Sequence, residues 1–237
     1  MKKVVFVIPM FNASQNLDEL MSSILDQTSS SWEAIFIDDM STDNSALVVK
    51  KYAKQDDRIK LIKNKEKKWA LRNVVEASRK YQDEDVIIAI LDADDALCNE
   101  NTVNLLIDGY SDSVDTVWTS HTWDINGLNI SKPLPNNEAN PYQVPWCTSH
   151  LKTFRSSLMK KISDDNFKDL NDEWFIRGYD QALYLPLLYL SNERKHIDEI
   201  CYLYKINSVS LQTRDWNEKI QMDTVRLVRA RGFIDNA

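Results

Sequence analysis

Three carboxylates fall within four positions in Leu91-Asp92-Ala93-Asp94-Asp95. Ionised carboxylates are hard oxygen ligands, and two on one side of a backbone suit a single divalent cation, the usual companion of a phosphate-bearing substrate. A second acidic pair, Asp38-Asp39, stands upstream. Two acidic clusters brought to one edge repel each other unless a cation or a hydroxyl-rich ligand lies between them. The plainer reading of Asp92 to Asp95 is an acidic loop that stops a strand and leads into a helix near Asn99, since exposed acids are common.

The elements that must hold these acids can be read along the chain. Val86-Ile87-Ile88-Ala89-Ile90 is β-branched, apolar and bounded by charge, as in a strand buried on both faces. Burying an unpaired charge costs several kcal/mol, so the acids belong just past its end. In extended backbone Asp92 and Asp94 would point the same way. Val4 to Ile8 reads as a first strand ended by Pro9, and Trp32 to Ile37 as a second, stopped by Asp38-Asp39. Ile59 to Ile62 is a short third. Between them, Ser14 to Gln27 carries Leu17, Leu20, Met21, Ile24 and Leu25 at helical spacing, with Ser14 as N-cap. Ser41-Thr42-Asp43 opens a second helix, and a third spans about Lys67 to Tyr81. Strand and helix alternate with short links, the pattern of a doubly wound parallel sheet. Such sheets take ligands beyond the carboxyl ends of their strands. Pro9 to Asn12, Asp38-Asp39 and Asp92 to Asp95 all fall there.

The later chain reads differently. Val114 to Thr122 is β-like, Gly127 to Pro145 is polar loop, and His150 to Ile162 has apolar residues at helical spacing. Gly178 to Leu190 is an apolar helix kinked at Pro186, Ile197 to Ile206 a strand, and Trp216 to Arg231 a terminal amphipathic helix.

Composition narrows the function classes. A chain of 237 residues has ample core for one large domain. No apolar stretch approaches the roughly 20 residues of a membrane span, and the run after Lys2-Lys3 is too short for a signal peptide. A net charge of −7 without a basic tail argues against nonspecific nucleic-acid binding. Cys98, Cys147 and Cys201 are odd in number and widely spaced, as reduced thiols of a cytoplasmic protein would be, free or peripheral at a membrane surface. The four glycines are scattered, so no P-loop or G-x-G-x-x-G turn is present.

In this order the segments resemble family 2 glycosyltransferases, enzymes of the GT-A fold that use nucleotide-activated sugars. Val4 to Asn12 (VVFVIPMFN) is similar to the family's opening strand, Glu33 to Ser45 (EAIFIDDMSTDNS) to its nucleoside-binding stretch, Ala70-Leu71-Arg72-Asn73 to its Ala-Arg-Asn segment and Leu91 to Asp95 to its Asp-x-Asp. The resemblance implies an α/β GT-A fold, a Rossmann-like, mostly parallel sheet flanked by helices. It implies one domain over 1–237, with a nucleotide-sugar-binding half at 1–125 and an acceptor-binding half at 126–237. Carried over, Pro9, Phe11, Asn12, Asp38 and Asp39 would meet the nucleoside, and Arg72 the base or diphosphate. Asp92 and Ala93 would sit by the ribose. Asp94, with Asp92 and His150, would hold Mn²⁺ or Mg²⁺. Gly178-Tyr179-Asp180 resembles the segment that supplies the family's base, with Tyr179 where Glu is usual, so Asp180 would be the base of an inverting transfer and Asp172 and Glu173 the reserves. UDP is the implied nucleotide, by family frequency. The acceptor would be a saccharide or another hydroxyl-bearing molecule, a modified nucleobase included.

Departures from the pattern are Met40, where a glycine usually follows the Asp pair, and Lys65, Lys67 and Lys68 in a segment where glycines are usual. Trp118, Trp123, Trp146 and Trp174 could form a sugar-stacking platform or simply core. Two other classes compete: a nucleotidylyltransferase, which would usually carry a glycine-rich basic loop near the first strand, and a silent nucleotide-sugar-binding module.

Overall fold

A computed structural model describes residues 3–137, 139–206 and 214–235; Lys2 of the basic start lies outside them. Strands β1 (Lys3–Met10), β2 (Trp32–Asp38), β3 (Ile59–Lys63) and β4 (Val86–Ile90) alternate with helices α1 (Leu17–Leu25), α2 (Ser45–Ala53) and α3 (Trp69–Arg79). Then come β5 (Ala96–Leu97), α4 (Thr102–Gly109), β6 (Val114–Trp123), β7 (Lys152–Arg155), α5 (Tyr179–Leu190), β8 (Glu193–Tyr204) and α6 (Arg214–Arg231). One eight-stranded sheet runs β3-β2-β1-β4-β7-β6-β8-β5. Its first four strands are parallel. β7 is antiparallel to β4 and β6, and β8 runs parallel to β6.

Helices cover both faces, which is why β4 and, after Lys3, β1 are apolar at every position rather than at alternate ones. Val4, Phe6 and Ile8 enter one core cluster, and Val5 and Val7 enter the other. Helix α1 lays Leu17, Leu20, Met21 and Ile24 on the first cluster, and each such burial contributes about 1.5–3 kcal/mol. Helix α3 lays Leu71, Val74 and Val75 on the second.

The helices start later than their sequence suggests, because the candidate caps are used elsewhere. Ser14 donates its N–H to Asp43 at 3.0 Å, and Asn16 takes the N-cap position of α1. Ser41 and Thr42 are tied to Asn12: its N–H donates to Ser41 Oγ (3.0 Å), and its side-chain oxygen accepts from Thr42 N (2.8 Å). Those bonds stitch the β1–α1 loop to the β2–α2 loop, and α2 begins only at Ser45.

One element differs in kind. His150 to Ile162, read as helix from its apolar spacing, is strand β7 followed by a 3₁₀ turn at Ser156–Lys161. Leu151 packs in one core cluster and Phe154 in the other, so the two lie on opposite faces of the sheet rather than on one helical stripe. The pairing with β4 and β6 decides this, and both strands lie well outside the 150–162 segment whose spacing suggested helix.

Candidate active site

Past the end of β4 the backbone does not stay extended. Asp95 N bonds Asp92 O at 3.2 Å, closing a turn over Ala93 and Asp94. The strand pleat therefore does not set the directions of Asp92 and Asp94, contrary to the sequence expectation; the turn does. Its hold comes from distant residues. Tyr202 Oη accepts from Asp92 N (3.3 Å) and donates to Asp95 Oδ2 (2.6 Å), while Lys205 N donates to Asp95 Oδ1 (2.8 Å). Asn16 Nδ2 bonds Asp94 O at 3.0 Å. Asp95, 1% exposed, is thus the clamp of the turn, and Asp92 and Asp94 remain half-buried on it.

Asp180 reaches the same place from α5. Gly178 precedes it at φ +70°, in the left-handed region, and a Cβ there would lie 3.1 Å from Gln221 O of α6. Only glycine lets α5 begin this close beneath α6. Tyr179 Oη donates to Asp92 Oδ1, joining the helix start to the turn. Asp180 Oδ1 pairs at 2.6 Å with Lys152 Nζ, whose side chain is only 1% exposed. The same ammonium stands 3.2 Å from His150 Nδ1.

The charges follow from this packing. Burial raises the Asp92 pKa above the ordinary carboxylate value, and the neighbouring Asp180 charge raises it further. Burial would also raise Asp180, but the Lys152 ammonium, with His150 and a backbone hydrogen bond beside it, leaves Asp180 lowered. His150 is pushed well below its usual value, by burial first and by Lys152 second, so its ring is neutral at neutral pH. Carboxylates crowded on a half-buried turn are the donor chemistry of a divalent cation, and Asp92 and Asp94 offer the hard oxygens one prefers. Among the described residues no three His, Cys, Asp or Glu side chains are placed to hold one metal ion by themselves, so a cation here would need further ligands from outside the protein. His150 walls the site beside the Asp pair. Its ring stacks on Tyr202 at 4.6 Å and its Nδ1 faces an ammonium.

The second acidic cluster is built differently. Asp39, 3% exposed, accepts Asn64 Nδ2 and Lys68 N (both 2.8 Å) on Oδ1 and Trp69 N (2.9 Å) on Oδ2, with Lys67 Nζ at 3.5 Å. Burial raises its pKa, yet these donors together leave it lowered. Asp38, 1% exposed, accepts Ser41 N at 2.9 Å. Met40 takes φ +67°, so the turn keeps the left-handed conformation that glycine would serve more cheaply. Lys67 Nζ sits 3.1 Å above the Phe11 ring, which is 51% exposed.

The structure therefore gathers Asp92, Ala93, Asp94, Asp180 and His150 in one group, and Phe11, Asn12, Asp38 and Asp39 in a second. Pro9 stays in the β1 ladder opposite Ile37. Arg72 joins neither group: its Nε donates to Glu76 (2.8 Å), and its guanidinium lies 5.9 Å from the Trp174 ring. The reserve acids Asp172 and Glu173 are exposed, and Asp172 pairs with Lys168. The tryptophans separate too. Trp118 is core, whereas Trp123 and Trp146 line a cavity of about 200 Å³ that also touches His150 and Asp180. Sequence reading missed Lys152 and Tyr202. The one signal for Lys152 is a lysine framed by Leu151, Thr153 and Phe154, a run too apolar for a solvated charge.

A model of the family described as "Glycosyl transferase family 2" matches residues 5–170. The glycosyltransferase GlyG of Streptococcus pneumoniae is 24% identical over 243 residues, covering 93% of this chain and 76% of that protein. Relatives matched at higher identity are spanned over only 24% and 37% of their length. Among solved structures, Staphylococcus aureus TarS in complex with UDP-GlcNAc superposes with a TM-score of 0.62 at 18% identity, covering 88% of this chain and 59% of that one. The Pyrobaculum calidifontis mannosyltransferase PcManGT, in complex with GDP-Man and Mn²⁺, gives 0.68 at 15% identity, covering 98% and 65%. These likenesses identify the fold as GT-A.

Proposed function

The chain belongs to glycosyl transferase family 2, and from that premise we propose that it moves a sugar from a nucleotide-diphosphate donor to an acceptor hydroxyl in one inverting displacement. The observation that carries the reading is the convergence of Asp180 with the Asp92–Asp94 turn, bridged by Tyr179 and balanced by Lys152.

The residues divide the work. Residues 1–125 receive the donor and 126–237 the acceptor. The exposed Phe11 ring and Asn12 offer the nucleoside a surface beside Pro9, with the Asp38–Asp39 pair at its edge. Asp39 also fixes Lys67 to Trp69 through three of its partners, Lys67 Nζ, Lys68 N and Trp69 N, which sets positive charge near the diphosphate. Arg72 approaches base or phosphate by exchanging Glu76 for it. Asp94 and Asp92 would hold a Mn²⁺ or Mg²⁺, which as a Lewis acid stabilises charge on the leaving diphosphate.

The acceptor hydroxyl gives its proton to Asp180 while its oxygen attacks the anomeric carbon from the face opposite the diphosphate. The bond from that carbon to the diphosphate oxygen breaks, and its electron pair leaves with the nucleotide. Lys152 keeps Asp180 ionised and aimed before the acceptor arrives. No described helix is long and apolar enough to cross a membrane. The three cysteines are unpaired, which suits a cytoplasmic setting, free or at a membrane surface.

UDP-glucose, UDP-GlcNAc, UDP-galactose and GDP-mannose, each incubated with the protein and Mn²⁺, test this reading. Expected is release of the nucleoside diphosphate from one donor, with UDP favoured, and transfer with inverted anomeric configuration. Release of pyrophosphate from a nucleoside triphosphate supplied with a sugar 1-phosphate would point instead to nucleotidyl transfer, and no turnover of any donor to a silent binding module.

A further inference from the structure

We infer that the sugar unit accepted beside Asp180 is a single neutral pyranose, not an anionic sugar or a polyol phosphate. The inference rests on Asp180 being the base, and it names what stands in front of it. The cavity touching Asp180 has a volume of about 200 Å³, below the roughly 300–1,000 Å³ of sites for drug-sized ligands, room enough for one sugar ring.

Its walls select the ring's chemistry. Trp123, Tyr204 and His150 form a continuous aromatic surface, with centroids 5.5 and 5.3 Å apart and planes tilted by 35° and 30°. Trp146 also lines the cavity. A tilted succession of rings makes a curved wall, which follows the C–H face of a chair better than it follows a flat nucleobase. Gln221 and Ser149 supply amide and hydroxyl groups suited to sugar hydroxyls, while the Gln181 amide oxygen accepts Arg229 Nε at 2.7 Å.

Charge excludes the alternatives. Among the described residues lining the cavity, Asp180 carries the only charge, and no lysine or arginine is present. Lys152 lies behind the wall, with its ammonium taken by Asp180 and His150. A uronate or phosphate placed here would face Asp180, with Asp92 and Asp94 beyond it, and among the described lining residues would meet no lysine or arginine to pair with. A polyol phosphate would also leave the aromatic wall without an apolar ring face to cover.

Saturation-transfer NMR on the full chain with UDP and Mg²⁺ tests this, using methyl β-D-glucopyranoside, methyl β-D-galactopyranoside, methyl β-D-glucuronide and ribitol 5-phosphate as probes. Expected is saturation of a neutral glycoside, with the glucuronide and ribitol 5-phosphate bound at least tenfold more weakly. Trp146→Ala should abolish the glycoside signal and keep that of UDP. Gln181→Lys, which places a cation in the wall, should raise glucuronide binding severalfold. The inference is overturned if an anionic probe binds as well as the neutral ones. It is equally overturned if no glycoside binds, or if Trp146→Ala and Gln181→Lys both leave the preference unchanged. The UDP signal in the same samples reports the donor site separately, so its absence beside a bound glycoside would count against the donor reading alone.

Discussion

The molecule carries two acidic clusters at the ends of two strands that flank β1, and they have opposite characters. Behind β2, Asp39 is buried and supplied with donors on both oxygens, and its pKa is lowered. Behind β4, burial and the neighbouring Asp180 charge raise Asp92. The residue type is the same; the number of N–H donors aimed at it is not. A carboxylate saturated by backbone amides has become part of the scaffold. One held among other carboxylates keeps an unmet demand for positive charge, which a substrate-borne cation can meet. Lys152 meets part of that demand from inside the protein.

The largest expected effect follows from disabling the base proposed for the cluster behind β4. Asp180→Asn keeps the shape and removes the basicity, so the transfer rate should fall by roughly 10²–10⁴-fold with donor affinity retained. Steady-state kinetics with donor binding measured alongside would check it. An unchanged rate would move the base to Asp172 or Glu173.

Lys152→Met should come next. It strips Asp180 of its counter-charge, so kcat should drop by about tenfold or more while UDP affinity holds, with partial recovery in Lys152→Arg. Breaking a buried ion pair costs about 3–5 kcal/mol. Asp180 is a third exposed, so the loss seen in urea unfolding should fall below that range. Equal kcat in Lys152→Met and the parent would make the lysine a packing residue only.

How far these roles could be read beforehand depended on how local they are. Strands β1, β2 and β4 were legible because doubly covered parallel strands are continuous apolar runs. The acids after β2 and β4 were placed correctly by the same reading. The shape of the Asp92–Asp95 turn was not, because its clamps, Tyr202 and Lys205, lie 107 and 110 positions from Asp95. Strand β7 passed for helix because Leu151, Phe154 and Leu158 satisfy a helical spacing as well as a strand followed by a tight turn. The Lys152–Asp180 pair was hidden for the same reason, since a strand and a separate helix must first pack before the two meet.

The smallest expected effect belongs to the saturated cluster. Asp39→Asn leaves one side-chain oxygen where two accepted donors, and loss of such a cap costs about 1–2 kcal/mol of stability at pH 7. The sign with pH is fixed by the lowered pKa. The Asp39 contribution is present above its ordinary value of 3.8 and is lost as pH falls through the lower folded value. The gap between Asp39→Asn and the parent in urea unfolding should therefore narrow below about pH 4. A constant gap would mean that the carboxylate charge does nothing there.

The difference between the clusters is tested at its root by calorimetry of UDP with and without Mn²⁺. UDP should bind the parent protein and Asp39→Asn more tightly with Mn²⁺ than without, and Asp94→Ala should bind it weakly and equally in both conditions. Equal UDP affinity with and without Mn²⁺ in the parent protein would contradict the assignment of Asp92 and Asp94 to a cation.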